Sequence, residues 1–549
     1  MGAPRIERAP REGSRGAGVP AGARKPAGPG GWVAPTSATA ARPRRRLPAP
    51  LWLLALAAVC AAAAAIPLVY LVVRTTEAGL GELLDTLLRP RVLQLTLNSV
   101  LLAAAVTASC LILGTLSALL LTRLRLPAGR ALLIVAALPL AVPSYLAAYG
   151  WLVWMPSLNG FGAAWFVMTA VCTPYVTLPV AAALRGASGD LEMVARTLGR
   201  GPIRAFWAAT WPQIRPAAIA GALLVSLYSL SDFGLVSMLR FQTLTWGINA
   251  AYGASFDRNQ AALLALVLVV LALVVVAGER RSRGQVDRAG GRSTTPQRPA
   301  GRLLGPALAV LLVAPVAGIL VPVLGLGNRL VEAATLRAID VPRLLEAIGA
   351  TLALALGAAL ITALVALPIA ALAARYRGRL VAAIEAVGFL GHALPGIVVG
   401  LSLVFFALAA VPALYQTSAV LVFAYVVLFM PRAIGSMRSG IAAVPGSLTD
   451  VSRMLGYSPL ATWFKVTARL ALPGIGIGTL LVAISVMKEL PATLLLRPTG
   501  VSTLATELWS RTAVFEFGAA APYAAALVLL AAVPTVLLSG IRGVAKEQQ

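Results

Sequence analysis

Apolar runs recur along the whole chain and alternate with short polar segments. Their length matches the ~30 Å hydrocarbon core of a bilayer, which an α-helix crosses in about 20 residues. Because lipid offers the backbone no hydrogen-bond partner, runs of this length favour helices over open strands. The pattern predicts twelve membrane spans, with cores at 51–73, 99–121, 131–154, 161–184, 217–239, 261–277, 303–327, 349–373, 383–409, 415–431, 472–487 and 520–541.

Composition agrees with this pattern. Of the 549 residues, 59% are hydrophobic and only 12% are charged, and the mean hydropathy is +0.85. A soluble chain of this length would need far more polar surface. The sequence therefore predicts an all-α, polytopic membrane protein embedded in the lipid bilayer.

Three polar segments divide the chain. Residues 1–50 carry ten basic and two acidic residues among Pro, Gly and Ala, which is typical of a disordered tail. Residues 278–302 contain seven Arg with Gly, Pro, Ser and Thr, and predict a flexible linker. The linker separates a first repeat of six spans, 51–277, from a second, 303–541, which a short tail at 542–549 follows.

The net charge of +26 has two interpretations, orientation in the membrane and nucleic-acid binding. If the spans alternate from a cytoplasmic N-terminus, 35 of the 46 Lys and Arg residues fall on the cytoplasmic side. This bias is the positive-inside pattern. Since no soluble basic module is present, we expect both termini to be cytoplasmic and no nucleic acid to be bound.

The segments 191–216 and 448–473 are copies of each other, aligned without a gap at a shift of 257 residues. "ALP" at 137–139 also meets "ALP" at 393–395 with one residue of slippage. Six spans in each half make the repeat parallel, with its pseudo-twofold axis along the membrane normal. Identical pairs in the copied segments are Leu191/Leu448, Val194/Val451, Arg196/Arg453, Leu198/Leu455, Gly199/Gly456, Pro202/Pro459, Thr210/Thr467 and Pro216/Pro473.

Each copied segment predicts two short helices at the membrane surface. Gly199 ends the first helix, as Gly does at a C′ position, and Pro202 can begin the second. The segment could pack on its own bundle or dock a cytosolic partner. Its occurrence in both halves favours docking to a two-fold partner. The expected anchors are the aromatic residues Phe206, Trp207, Trp463 and Phe464.

This doubled pattern resembles the cytoplasmic coupling loop of ABC importer permeases of type I. The resemblance implies two copies of a cytosolic ABC ATPase, an extracytoplasmic substrate-binding protein and a bacterial inner (plasma) membrane. It also implies that ATP binds the partner ATPase and that this chain binds no cofactor. Thr449 stands where the family's Glu is Glu192 in the first copy, and the nearest acid is Asp450. The residues implied for coupling are Glu192, Arg196, Gly199, Pro202, Phe206, Trp207, Asp450, Arg453, Gly456, Pro459, Trp463 and Phe464.

A narrower resemblance concerns the cargo. "TPYVTLP" at 173–179, "SLSDFGLVSMLRFQTLTWGI" after the first loop and "SVMKELPATLLLRPTGVSTLATELW" after the second are similar to the two-repeat permeases of ferric-iron import. Thiamine permeases of the same architecture are similar too. The resemblance implies ATP-driven import of iron(III), with thiamine or another small solute as the alternative.

Other classes of protein fit less well. The sequence has no G-x-x-x-x-G-K-[ST] motif for ATP. With one histidine, His392, and three cysteines in apolar runs, neither a catalytic set nor a metal site is expected. An ion-coupled secondary transporter would also have two six-span halves. It would more naturally carry coupling carboxylates deep in the membrane, and neither it nor a scaffold protein needs a repeated docking loop.

Two acids lie near the outer ends of corresponding spans. Asp232 aligns with Glu489 at the shift of 257 residues. The pseudo-twofold would place them at matching depth, where two carboxylates could lower the barrier for a cationic substrate. Alternatively, each acid caps the segment after the bend, or Glu489 pairs with Lys488 or Arg497.

Overall fold

We describe a computed structural model of the chain over residues 49–77, 80–187, 189–253, 257–283, 297–336 and 339–531. The predicted basic tail lies almost wholly outside these residues, as do residues 284–296 of the predicted linker and the C-terminal tail. Within them the protein is all-α. The only strands in the described part are a two-residue parallel pair, β1 Leu124–Arg125 and β2 Arg298–Pro299, in which Leu124 pairs with Arg298.

Helices of the first repeat begin in the apolar runs and break at Gly and Pro. They are α1 Leu51–Glu77, α2 Leu80–Leu87, α3 Pro90–Arg123, α4 Gly129–Ala137, α5 Ser144–Trp154, α6 Gly160–Cys172, α7 Pro174–Gly186, α8 Asp190–Thr197, α9 Pro202–Ala205, α10 Trp211–Ser231, α11 Gly234–Met238, α12 Leu244–Gly253 and α13 Arg258–Arg283. A π-helical turn at Phe206–Thr210 joins α9 to α10, and a 3₁₀ turn at Leu138–Ala141 follows α4.

Helices of the second repeat follow the same order. They are α14 Leu304–Pro315, α15 Val321–Leu336, α16 Val341–Arg375, α17 Arg379–Gly388, α18 Gly396–Ala410, α19 Ser418–Ala442, α20 Gly446–Met454, α21 Pro459–Thr462, α22 Ala468–Met487, α23 Pro491–Leu496, α24 Leu504–Ala513 and α25 Phe517–Ala531. The turns between and within them are 3₁₀ at Gly301–Leu303, Leu390–His392 and Pro412–Leu414, and π at Val316–Leu320 and Trp463–Thr467.

In the described residues, nine helices or continuous helical stretches are long and apolar enough to cross a membrane, and two bent pairs bring the number to eleven. The shorter apolar helix α25 covers the described part of the predicted twelfth span, whose remainder lies outside. The prediction of a polytopic helical protein is therefore confirmed.

Four predicted spans need correction. The spans 131–154 and 383–409 are not single helices, because α4 and α5 meet at 92° and α17 and α18 at 103°. Pro143 and Pro395 stand at these breaks, where the ring removes a hydrogen-bond donor and disfavours a helical residue before it. The predicted span 217–239 was drawn too far, because α10 ends at Ser231. The predicted span 415–431 was too short, because α19 continues to Ala442.

The structure also corrects the repeat register upstream of the loops. Pro139 is not the counterpart of Pro395, as the two "ALP" triplets suggested, because it lies inside a 3₁₀ turn while Pro143 precedes α5. Pro143 and Pro395 are 252 residues apart. The same shift relates Ser99 on α3 to Thr351 on α16, and these make equivalent bonds: each hydroxyl accepts the backbone N–H at the start of α12 or α24, at 2.8 and 3.0 Å.

Two three-helix cores hold the repeats. Helices α3, α7 and α10 pack on one another in the first repeat, as α16, α19 and α22 do in the second. The leading helices cross over. Helix α1 packs on α16, α17 and α18 of the second repeat as well as on α13, while α14 packs on α4 and α6, and α15 packs on α5, of the first. The first helices of each repeat therefore pack on the other repeat.

Candidate functional site

The two copied segments fold identically around a glycine. Gly199 has φ +80° and Gly456 has φ +82°, the left-handed region that favours glycine. After α8, Gly199 N–H bonds to Arg196 O at 3.0 Å and Arg200 N–H to Ala195 O at 3.1 Å. The corresponding bonds after α20 run from Gly456 to Arg453 at 3.0 Å and from Tyr457 to Ser452 at 3.2 Å. Each helix thus ends in a Schellman motif, which sets the direction of the chain that follows.

A second short helix and a π turn complete each copy. Pro202 and Pro459 stand in the first turns of α9 and α21, where the absent N–H costs nothing. The π turns Phe206–Thr210 and Trp463–Thr467 then lead into the long helices α10 and α22, at the shift of 257 residues. π turns within α-helices are frequent at functional sites.

Each copy presents an apolar face that its own bundle does not cover. Five pairs of side chains related by 257 residues are at least 44% exposed: Leu191/Leu448, Val194/Val451, Leu198/Leu455, Ile203/Leu460 and Trp207/Phe464. Exposed apolar patches rimmed by polar residues mark interaction sites. We call this set the docking face.

The four predicted aromatic anchors do not share one environment. Trp207 is 55% exposed and Phe464 is 63% exposed, and both lie on the docking face. Phe206 and Trp463 are half-buried and pack against the hydrophobic cores of the two repeats. Only the second aromatic of each pair is therefore placed to anchor a partner.

Beneath the docking face the two copies use different contacts. In the first copy Ala195, Ala205 and Ala209 form a small apolar cluster between α8 and the π turn. In the second copy the buried hydroxyls of Ser452 and Thr462, which correspond to Ala195 and Ala205, hydrogen-bond at 3.0 Å. The same geometry is thus held by apolar contact in one copy and by a hydrogen bond in the other.

Glu192 joins the first loop to the end of a membrane helix. Its Oε2 lies 2.9 Å from Arg123 Nη2 at the end of α3 and accepts the Thr210 hydroxyl at 2.8 Å, while its Oε1 lies 2.7 Å from Arg196 Nη2. Burial alone would raise the pKa of Glu192, but the Thr210 hydrogen bond and the charges of Arg123 and Arg196 outweigh it, so the pKa is lowered.

The second loop differs at the position of Glu192. Thr449, in the place of Glu192, turns its hydroxyl to the backbone of Gly446 at 2.7 Å. Arg375 ends α16 as Arg123 ends α3, and its Nη2 is buried without a hydrogen-bond partner. Asp450 acts on Arg375 electrostatically. The two copied segments are therefore alike in backbone and differ at the position of Glu192.

The two predicted path acids lie where α10 and α22 end, and both cap the next helix. Asp232 accepts the N–H of Leu235 through Oδ1 at 2.9 Å and the hydroxyl of Ser144 through Oδ2. Glu489 accepts the N–H groups of Ala492 and Thr493, each at 3.0 Å. This geometry matches the capping alternative; the role in a cation path stays a prediction.

Sequence reasoning considered Lys488 only as an ion-pair partner of Glu489 and missed Arg432. Arg432 lies inside α19, and Lys488 lies at the end of α22 beside Glu489. A charge at the bilayer centre costs about 2.5–3.5 kcal/mol on insertion scales, so such residues usually serve a function. The signal was an Arg after Pro431 in an apolar run, which the predicted end of that span at 431 assigned to the cytoplasmic loop.

No group of three or more His, Cys, Asp or Glu in the described ranges could hold a metal ion. The candidate functional features are therefore the docking face on the two copied segments and the charged residues at the ends of α10 and α22.

Comparison with known proteins identifies the class. A family model described as the binding-protein-dependent transport system inner membrane component matches residues 110–278 and again 366–544. This chain belongs to that family of ABC-type importer permeases and carries its domain twice. It is an integral inner-membrane permease component.

Three curated relatives show the range of the family. The Fe(3+)-transport system permease protein FbpB 2 of Haemophilus influenzae is 34% identical over 496 residues, which are 89% of this chain and 98% of that protein. The molybdenum transport system permease protein ModB of Mycobacterium tuberculosis is 31% identical over 39% of this chain and 87% of that protein. The putrescine transport system permease protein PotI of Escherichia coli is 30% identical over 28% of this chain and 63% of that protein.

Proposed function

We propose that this chain is the transmembrane permease subunit of an ATP-driven importer of iron(III). The observation that carries the cargo is the similarity to an Fe(3+)-transport permease over 98% of that protein's length, with both repeats included. The molybdenum and putrescine permeases match only parts of this chain. They support the alternative of another small solute in the same architecture.

The proposed coupling mechanism uses the docking face. Two copies of a cytosolic ABC ATPase bind the loops 191–216 and 448–473, one copy on each. The repeated backbone and the five repeated exposed pairs support one kind of partner binding twice. ATP binds and is hydrolysed on that partner, and closure of its two copies moves the loops together.

The proposed path runs between the repeats along the pseudo-twofold axis. An extracytoplasmic binding protein delivers the cargo at the end of the bundle opposite the loops. In this orientation both termini and the linker 278–302 are cytoplasmic, and the units are the repeats 51–277 and 303–541. Reporter tags at the termini and in the linker, assayed for accessibility from each side, test the orientation.

The cargo is tested by reconstitution. The permease is placed in proteoliposomes with its ATPase inside and its binding protein outside, and ATP-dependent uptake of radiolabelled iron, thiamine and putrescine is measured separately. Uptake of iron alone supports the proposal. Uptake of thiamine or putrescine without iron would show that iron(III) is not the cargo. Uptake without ATP would show that the protein is not an ATP-driven importer.

A further inference from the structure

Arg432 is exposed although it lies midway along a membrane helix. It is 14 residues from Ser418 and 10 from Ala442, the ends of α19, which is about 21 Å and 15 Å along the helix axis. Its guanidinium donates to Ser485 Oγ on α22 and lies 5.1 Å from the centre of the Phe429 ring. An exposed Arg at this depth faces water or protein rather than lipid.

Arg432 lies at the seam between the repeats. Tyr175 on α7 and Tyr228 on α10, both of the first repeat, interact with it electrostatically. The two tyrosine rings are tilted against each other with centres 5.7 Å apart. The guanidinium and two phenol groups therefore share one region.

Lys488 brings a second positive charge to the same seam. Its ammonium donates to the carbonyl oxygens of Ala141 and Leu140, which belong to the break between α4 and α5 in the first repeat. Carbonyl dipoles orient the ammonium group but leave its charge uncompensated. Lys488 also lies within the electrostatic reach of Arg432.

Among the described residues, neither cation has an acid as its ion-pair partner. The nearest acid in sequence, Glu489, accepts two backbone N–H groups and the hydroxyl of Thr493 at 2.8 Å. The acid of the first repeat, Asp232, is occupied in the same way.

The first repeat has uncharged residues at the positions that correspond to Arg432 and Lys488. At the shift of 257 residues Arg432 corresponds to Tyr175 and Lys488 to Ser231. The first repeat builds the same helices with neutral hydroxyl groups at both positions. The fold therefore does not require the charges, which points to the cargo.

We propose that Arg432 and Lys488 form a charge filter, and that the cargo passes it as a net-anionic species bearing oxyanion groups. A guanidinium binds oxyanions through paired N–H donors, and an ammonium adds a point charge. Resting on the proposed function, this means that iron(III) crosses together with an oxyanion ligand. A bare trivalent cation would be repelled by both side chains.

The direct test uses proteoliposomes that hold the ATPase and receive the binding protein, with inorganic phosphate as the sole oxyanion outside and iron and phosphate both radiolabelled. We expect phosphate to enter with iron in a fixed ratio. Arg432→Gln and Lys488→Gln should each lower uptake about tenfold, whereas Arg432→Lys should retain most of it. The matched control is Arg438→Gln on the same helix, whose partner is Glu385, and it should transport normally. Iron entry without phosphate, or unchanged uptake in both Gln variants, overturns the proposal.

A second measurement does not depend on the cargo. Ser231→Cys, placed where Lys488 stands in the other repeat, is made in a background with Cys60, Cys110 and Cys172 replaced by Ala. The filter predicts that a negatively charged thiosulfonate reagent modifies this site about tenfold faster than a positively charged one. Arg432→Gln should remove the preference. A faster cationic reagent, or a preference that survives Arg432→Gln, overturns the filter. If the Ser231→Cys protein prefers the anionic reagent while the wild-type protein imports no iron, iron is rejected as the cargo and the filter stands.

Discussion

Gly396 leaves the space that Glu489 fills: a Cβ atom on Gly396 would lie 2.5 Å from Oε1 of Glu489. At the corresponding break of the first repeat, Ser144 donates to the shorter side chain of Asp232. The longer side chain of Glu489 thus lies against a glycine, whereas the shorter side chain of Asp232 lies against a serine.

Gly396→Ala should destabilise the protein, because overpacking a filled site costs about 1–3 kcal/mol. The matched control is Gly435→Ala on α19, where an added Cβ meets open space. Combining Gly396→Ser with Glu489→Asp copies the first repeat and should recover stability. Thermal unfolding of the purified protein in detergent measures all three. Equal midpoints for Gly396→Ala and Gly435→Ala would contradict the packing argument.

Asp232→Asn combined with Glu489→Gln should lower the stability of the protein more than its transport per inserted molecule. Each carboxylate accepts from two or more donors, and a side-chain amide presents N–H to one of them, at about 1–3 kcal/mol for each unmade bond. Membrane level and unfolding midpoint are measured beside ATP-driven uptake. A stable double variant that has lost uptake would restore the predicted role of these acids in the path.

Gly199→Val with Gly456→Val should uncouple the partner ATPase while the protein still inserts. The left-handed backbone costs about 1–2 kcal/mol for a residue with a side chain, and nothing crowds either position. Gly201→Val is the control, because Gly201 has extended backbone with φ −60° and open space around it. The readout is ATPase activity stimulated by the binding protein. Stimulation that persists in the double variant would show that the loops do not couple the ATPase to the permease.

Trp207→Ala and Phe464→Ala should each weaken ATPase binding about 30-fold, the effect of losing an anchor worth ~2 kcal/mol. Phe206→Ala and Trp463→Ala should instead lower thermal stability, because these side chains pack against the cores. Binding of the ATPase to the permease in nanodiscs separates the two effects. If all four variants bind the ATPase with equal affinity, Trp207 and Phe464 are not anchors and the docking face is not the binding surface.

Glu192→Gln should destabilise the protein at neutral pH but not in acid. The folded protein holds the pKa of Glu192 below its ordinary value, so the contribution is complete above the unfolded pKa of about 4.3 and is lost as the pH falls through the folded pKa. Unfolding of wild type and variant is compared between neutral pH and about pH 3. Thr449→Val, at the corresponding site, should show no such pH dependence. A difference between wild type and Glu192→Gln that persists in acid would rule out the ion pairs as its source.

Sequence reasoning succeeded where one physical signal dominated. Hydrophobic length revealed the helices, and the copied segments revealed two loops whose glycines have the predicted left-handed backbone. It failed at breaks, because the composition of α4 and α5 together is that of one span and only Pro143 hints at the 92° bend. The match of the two "ALP" triplets was misleading, because three identical residues suggested a different alignment of the repeats from the one that their equivalent hydrogen bonds support.

The site was predicted in part for the same reason. The docking face follows from residue type and repetition, but which aromatic of each pair turns inward depends on packing that no local pattern encodes. The two acids were singled out as ions in apolar surroundings, yet backbone N–H groups already occupy them. Arg432 was recognised as a residue of a membrane helix only because α19 continues past Pro431, which places Arg432 near residues of the other repeat.

The crossing of the leading helices bears on which parts of the protein can move as rigid bodies. Since α1 packs on α16 to α18, and α14 and α15 pack on α4 to α6, a cut at the linker would not separate two independent units. The moving bodies are better drawn as each repeat's core together with the other repeat's leading helices. We therefore expect a closing force applied to one loop to move a segment from the other half of the chain as well.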